Sequence, residues 1–158
     1  LVTALEAALA GMGARRARTA TPDRPYEVAE VLAPLVALGR TAGEPVRWSV
    51  PDGLYVHGHP DALAHVTLTL LANAARHAPG VPVTVDAAAA GGAVRVTVAN
   101  PCTAEAGGGP GLGLRVCARM VVAEGGRMHV RPAAATPEPT WQVVVELPAA
   151  WRPDRSGA

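Results

Sequence analysis

A chain of 158 residues is the size of one domain, able to bury about two thirds of the surface its unfolded form exposes. Its formal net charge of +1 and the absence of any long run of one sign exclude the basic stripe that non-specific nucleic-acid binding needs, so no nucleic acid is expected as a partner. Phenylalanine is absent, which leaves the core to Val, Leu and Ala, and all the basic side chains are arginine, which excludes lysine-based chemistry.

Residues 1 to 17 carry apolar side chains at helical spacing and end in Arg15-Arg16, a pair suited to a helix C-terminus. After the breaker segment 19 to 25, Val28, Val31, Leu32, Leu35 and Leu38 recur every three or four residues and predict a second helix, ending near Gly43. Two short alternating runs, 45 to 50 and 54 to 58, flank Pro51-Asp52-Gly53 and read as a hairpin. Pro60 then stands at a first helical position, and Leu63, Val66, Leu70 and Ala74 carry a third helix to His77, with Pro79-Gly80 as its stop.

The runs 81 to 87 and 93 to 100 alternate valine with polar residues across Gly91-Gly92 and predict a second hairpin. A glycine-rich loop, 103 to 111, feeds a helix from about Leu112 to Glu124. Gly125-Gly126 ends it, and strands are expected at RMHVRP and at 140 to 148, before a mobile tail. This order predicts an α/β two-layer sandwich: a mixed sheet with helices packed on one face.

Two segments carry chemistry. On the third helix, Thr69, Asn73 and Arg76 fall within roughly a 60° stripe beside the apolar face. Mid-helix asparagine is mildly unfavourable and usually has a local reason; the plain alternative is an amphipathic helix with a polar shoulder. Further on, Gly109, Gly111 and Gly113 let a backbone approach a phosphate, and the helix that follows turns its positive end to the same place. A flexible loop would look similar. The dinucleotide fingerprint fits poorly for want of a βαβ unit, and a Walker loop fails for want of its lysine.

Together these segments resemble the GHKL family of ATP-binding domains, and within it the sensor histidine kinases. The asparagine box, Asn-Leu-Leu-x-Asn-Ala-x-Arg/Lys-His, is matched by Thr69 through His77, and the second glycine box, Gly-x-Gly-Leu-Gly-Leu, by Gly109 through Leu114. The pattern Val-x-Gly-Asp-Pro appears as Val56-His57-Gly58-His59-Pro60. Two departures stand out: Thr69 replaces the first asparagine of the box, and the first glycine box, Asp-x-Gly-x-Gly, is replaced by Asn100-Pro101-Cys102-Thr103-Ala104. The lid between the glycine boxes is short and lacks the phenylalanine motif of long-lid kinases.

The resemblance implies a Bergerat-type fold and, as cofactors, ATP and Mg²⁺. Asn73 is then the metal ligand; Arg76 and His77 lie along the phosphates as catalytic groups with Asn73; Thr69, Asn100, Gly109, Gly111, Leu112, Gly113 and Leu114 complete the nucleotide site, with Asn100 at the place of the adenine-reading aspartate. Thr69 stands where hydrolytic relatives keep a glutamate, and a hydroxyl cannot act as a base near pH 7. The acceptor is therefore expected to be a histidine on a dimerisation domain, with a response regulator downstream, in a homodimeric parent that is free to be membrane-anchored.

The implied organisation is the tail of a preceding helix at 1 to 20, a catalytic domain at 21 to 148 and a tail at 149 to 158, with a cytoplasmic address for the soluble domain. No histidine lies in residues 1 to 17, so the phosphorylated histidine is expected elsewhere in a longer protein. The alternatives are a GHKL-fold interaction module that has lost nucleotide binding, favoured by the altered first glycine box, and an anti-sigma-factor serine kinase. His57, His59 and Asp61 are read as solvated and not as a metal site, and Cys102 and Cys117 as neither disulfide-bonded nor reactive.

Overall fold

The computed structural model describes residues 24–41, 43, 45–101, 111–131 and 140–151. In chain order they form β1 (Tyr26–Glu27), α1 (Val28–Thr41), β2 (Val46–Ser49), β3 (Tyr55–Val56), α2 (Pro60–His77), β4 (Val83–Ala90), β5 (Ala93–Pro101), α3 (Leu112–Ala123), β6 (Arg127–Arg131) and β7 (Thr140–Ala150). The strands make one mixed sheet in the order β1-β3-β7-β5-β4-β2, with β6 also paired to β7. The expected first helix, and most of the glycine loop with Gly109 and Cys102, lie outside the described residues.

The sheet's centre follows from alternation. Val83, Val85 and Ala87 of β4, Val94, Val96 and Val98 of β5, and Val143, Val145 and Leu147 of β7 share one core face, in a register that sets Val85 opposite Val98 and Val98 opposite Val143. Each such side chain contributes about 1.5–3 kcal/mol on burial. The β4–β5 hairpin turns on Gly91 (φ 55°) and Gly92 (φ 84°), the paired positive values that a two-residue turn of this hand needs.

Helix α2 is the centre of the helical layer. It sends Leu63, Val66, Leu70 and Ala74 into the sheet core, while Leu68 and Ala72 pack against Leu35 and Leu38 of α1. Pro60 opens it, as the fixed φ and missing N–H of proline predict for a first turn. Among the described residues, no helix is long and apolar enough to cross a membrane.

Two expectations are corrected, and one strand was not foreseen. The runs flanking Pro51-Asp52-Gly53 are not a hairpin: β2 pairs in parallel with β4, whereas β3 pairs with β1 and β7 on the far side of the sheet. Four strand spacings separate β2 from β3, about 19 Å, and the six residues from Ser49 to Tyr55 span about 20 Å when extended, so the turn serves a crossing of the sheet's end. Strand β1 is too short to show a period. Finally, β7 runs through Ala150, with Ala149 and Ala150 opposite Val56 and Tyr55, two residues beyond the expected start of a tail.

Candidate functional site

Helices α2 and α3 pack antiparallel, because late residues of α3 meet early residues of α2. Glu124, the C-cap of α3, reaches His59 just before α2, and at the other end a Cβ on Gly113 would stand 3.5 Å from the Thr69 methyl. Cys117, fully buried one turn on, lies beside the Thr69 hydroxyl. Burial pushes the Cys117 thiol up, against a smaller lowering effect of that neighbour. Thr69 gives its own hydroxyl proton to the His65 carbonyl at 3.0 Å, so it serves as the packing surface between the two helices.

The polar stripe continues past the point where α3 begins. Asn73, one turn beyond Thr69, is half-buried, and Arg76 and His77 are exposed in the last turn of α2. An Arg76 Nη1 proton points at Asn73 Oδ1 at 3.5 Å, the long limit of a hydrogen bond. A cation thus already stands near the one amide oxygen that the resemblance assigns to a metal. Among the described residues no group of three or more His, Cys, Asp or Glu could hold a metal ion. A neutral amide oxygen, completed by phosphate oxygens and water, suits Mg²⁺, which keeps most of its hydration and takes few protein ligands.

Across from this stripe lies the N-terminus of α3, which no side chain among the described residues caps; Gly111 is its N-cap, and no acidic residue stands in the first turn. The first bond of the helix runs from the Arg115 N–H to the Gly111 carbonyl at 3.3 Å, leaving the N–H groups of Leu112, Gly113 and Leu114 without a partner inside the helix. Gly111 has an ordinary φ of −63°, and a Cβ built on it would touch nothing within 4 Å. Neither conformation nor packing against the described residues asks for glycine there. Leu114 is buried, and Leu112 is 79% exposed.

Asn100 completes the set. It follows Val94, Val96 and Val98 on the core face of β5, and alternation carries it under the helices at the end of the strand, 2% exposed. Its Nδ2 donates to the Pro101 carbonyl at 3.1 Å, and its Oδ1 is buried without a hydrogen-bond partner among the described residues. Such an orphan is unfavourable by about 1–3 kcal/mol and calls for a donor that a bound molecule can supply.

Sequence reasoning missed Glu124. Its side chain is 7% exposed, it accepts the His59 N–H at 2.8 Å, and the His59 Nδ1 lies 3.2 Å from the same carboxylate. His59 is therefore paired and not merely solvated. No local signal joins residues 65 apart.

Among the described residues, a mixed sheet under three helices defines a two-layer α/β architecture. Its particular form is that of the sensor histidine kinase catalytic domains. The mycobacterial sensor histidine kinase MprB superposes with a TM-score of 0.67 at 21% identity, over 82% of this chain and 99% of that one. The histidine kinase domain of the E. coli osmosensor EnvZ gives 0.66 at 16%, over 89% and 98%. Full-length ShkA in complex with AMPPNP gives 0.67 at 23%, over 92% of this chain and 35% of ShkA. No protein-family model and no curated protein matches the sequence. At these identities the likeness establishes the fold.

Proposed function

We propose that this chain is the ATP-binding catalytic domain of a sensor histidine kinase, which passes the γ-phosphoryl group of ATP to a histidine on a dimerisation domain, for onward transfer to a response regulator. The observation that carries the reading is the orphaned Oδ1 of Asn100, an acceptor buried where the resemblance calls for one that reads the adenine amino group. ShkA, of the same fold, was captured with AMPPNP.

In this reading the adenine amino group donates to Asn100 Oδ1, while the Pro101 carbonyl holds the amide in the accepting orientation. The N–H groups of Gly111, Leu112, Gly113 and Leu114 receive phosphate oxygens, aided by the helix dipole, with Gly109 extending the cradle. Asn73 would hold Mg²⁺, which would supply charge neutralisation at the phosphates. Arg76 and His77 flank the phosphates and orient them. Thr69, its hydroxyl given to His65, activates no water, which favours transfer over hydrolysis. The domain then runs from about residue 21 through β7, in the cytoplasm, within a longer homodimeric protein.

Titration with Mg²⁺-ATP, with and without chelator, tests this. Binding that saturates and is lost with chelator is expected. Absence of binding at millimolar ATP would transfer the chain to the non-catalytic interaction modules.

A further inference from the structure

Glu124 stands between two helix ends: its nearly buried carboxylate opposes the dipole of α3 at that helix's C-terminus and complements the dipole of α2 at its N-terminus. The protein accommodates it at some expense to the backbone. Gly58 takes a φ of +121°, and a Cβ on it would collide with the Glu124 carboxylate, so glycine is required on both counts. The carboxylate accepts the backbone N–H of His59 at 2.8 Å and sits 3.2–3.3 Å from its Nδ1. It also faces Tyr26 of β1, whose phenol is pushed up first by burial and then by this charge.

The position of this contact is informative. It joins the C-terminus of α3 to the N-terminus of α2, while the contacts of Thr69 with Gly113 and Cys117 join the same two helices near the glycine turn. Eleven residues of α3 separate Gly113 from Glu124, about 16 Å of helix, against ten residues of α2 from His59 to Thr69, about 15 Å. Two anchors with matched spans fix both the register and the angle of one helix on the other. What they hold in place is the N-terminus of α3 relative to Asn73. In the resembling pattern the residue before the helix proline is an aspartate; here it is His59, and the acid stands on the opposite helix.

We propose that Glu124 and His59 form a positioning clamp that sets α3 on α2 so that the phosphate-binding turn lies opposite Asn73. This rests on the nucleotide-binding reading above. Neither residue touches the nucleotide; the pair acts through the register of α3.

The test uses this chain with Glu124→Gln, Glu124→Ala, His59→Asp and the swap His59→Asp with Glu124→His, read by Mg²⁺-ATP affinity and by amide hydrogen exchange without nucleotide. Glu124→Ala should weaken affinity on the order of tenfold, Glu124→Gln less, and His59→Asp, which sets acid against acid, at least as much as Glu124→Ala. The swap should return affinity to within about threefold of the parent. Exchange at Arg115, Val116 and Cys117, the far end of α3, should quicken in the single variants while Val85 and Val96 in the sheet hold their rates. A merely structural contact would quicken the sheet and α3 together and leave affinity of the folded fraction unchanged; that result overturns the proposal, as does a swap no better than its single parts. Should the parent itself bind no Mg²⁺-ATP, the functional reading fails, and exchange at the far end of α3 still decides the clamp.

Discussion

Asn100→Asp puts the nucleotide reading at risk at a single atom. In the parent, Nδ2 donates to the Pro101 carbonyl at 3.1 Å and Oδ1 lacks a partner among the described residues, in a side chain 2% exposed. The exchange replaces the donating nitrogen by an oxygen and sets acceptor against acceptor. A buried polar group left unsatisfied is unfavourable by about 1–3 kcal/mol, and in a domain of this size 1 kcal/mol shifts Tm by roughly 2–4 °C. The ligand-free variant should therefore melt roughly 2–12 °C below the parent at pH 7. Burial raises the carboxyl pKa of the new aspartate in the folded state above its unfolded value of about 3.9. Its protonated form donates to Pro101 again, so the deficit should close as pH falls toward 4 and grow as pH rises through the raised value. With ATP the order reverses. A hydrogen bond to a charged acceptor is worth about 1.5–3 kcal/mol against 0.5–1.5 for a neutral one, so Mg²⁺-ATP should bind roughly fivefold tighter, with a sharper preference over GTP. Thermal melts at pH 4.5 and 7 and calorimetric titration would measure both effects. A variant that melts with the parent and binds ATP no tighter would show that this acceptor does not face the base.

Three further outcomes are expected. Asn73→Ala should abolish chelator-sensitive nucleotide binding and leave Tm within about 2 °C, since the half-buried amide makes one long contact with Arg76; unchanged binding in the titration would remove Asn73 from the metal site. Gly111→Ala adds a methyl that meets nothing within 4 Å at an ordinary φ, so stability should hold while Mg²⁺-ATP affinity drops about tenfold, the equivalent of about 1.4 kcal/mol of lost backbone contact; equal losses in melt and titration would contradict the cradle. Tyr26 is held protonated by burial and by Glu124, so its contribution to stability is intact below about pH 10 and is lost as pH rises through its raised folded value. Tyr26→Phe should accordingly flatten the alkaline decline seen in urea melts, and an unaltered decline would exclude Tyr26 as its source.

The elements that sequence displayed best are those whose cause is local. Pro60 opening α2, the Gly91-Gly92 turn and the valine alternation of β4, β5 and β7 each need only a few neighbouring residues to be decided. The same alternation, carried one step past Val98, puts Asn100 on the buried face, whereas the sequence reading reached Asn100 only through the resemblance. Pro51-Asp52-Gly53 shows where such reasoning ends: turn chemistry fixes that the chain bends there, but β2 and β3 find partners at opposite sides of the sheet, a choice made by β4 and β7 far along the chain. The site divides along the same line. Asn73, Gly111 and Gly113 could be picked out because each sits in a dense local pattern, whereas the orientation of the Asn100 amide depends on Pro101, and the partner of His59 on a residue 65 positions away. What the sequence conceals here is therefore the contact that sets one helix against the other, and not the groups on either helix. Two glycines show how that gap narrows. Gly58 is dictated by its left-handed φ and by the carboxylate beside it, whereas Gly111 is dictated by nothing the described residues supply. The first points inward to packing, and the second, on the function proposed, outward to a ligand.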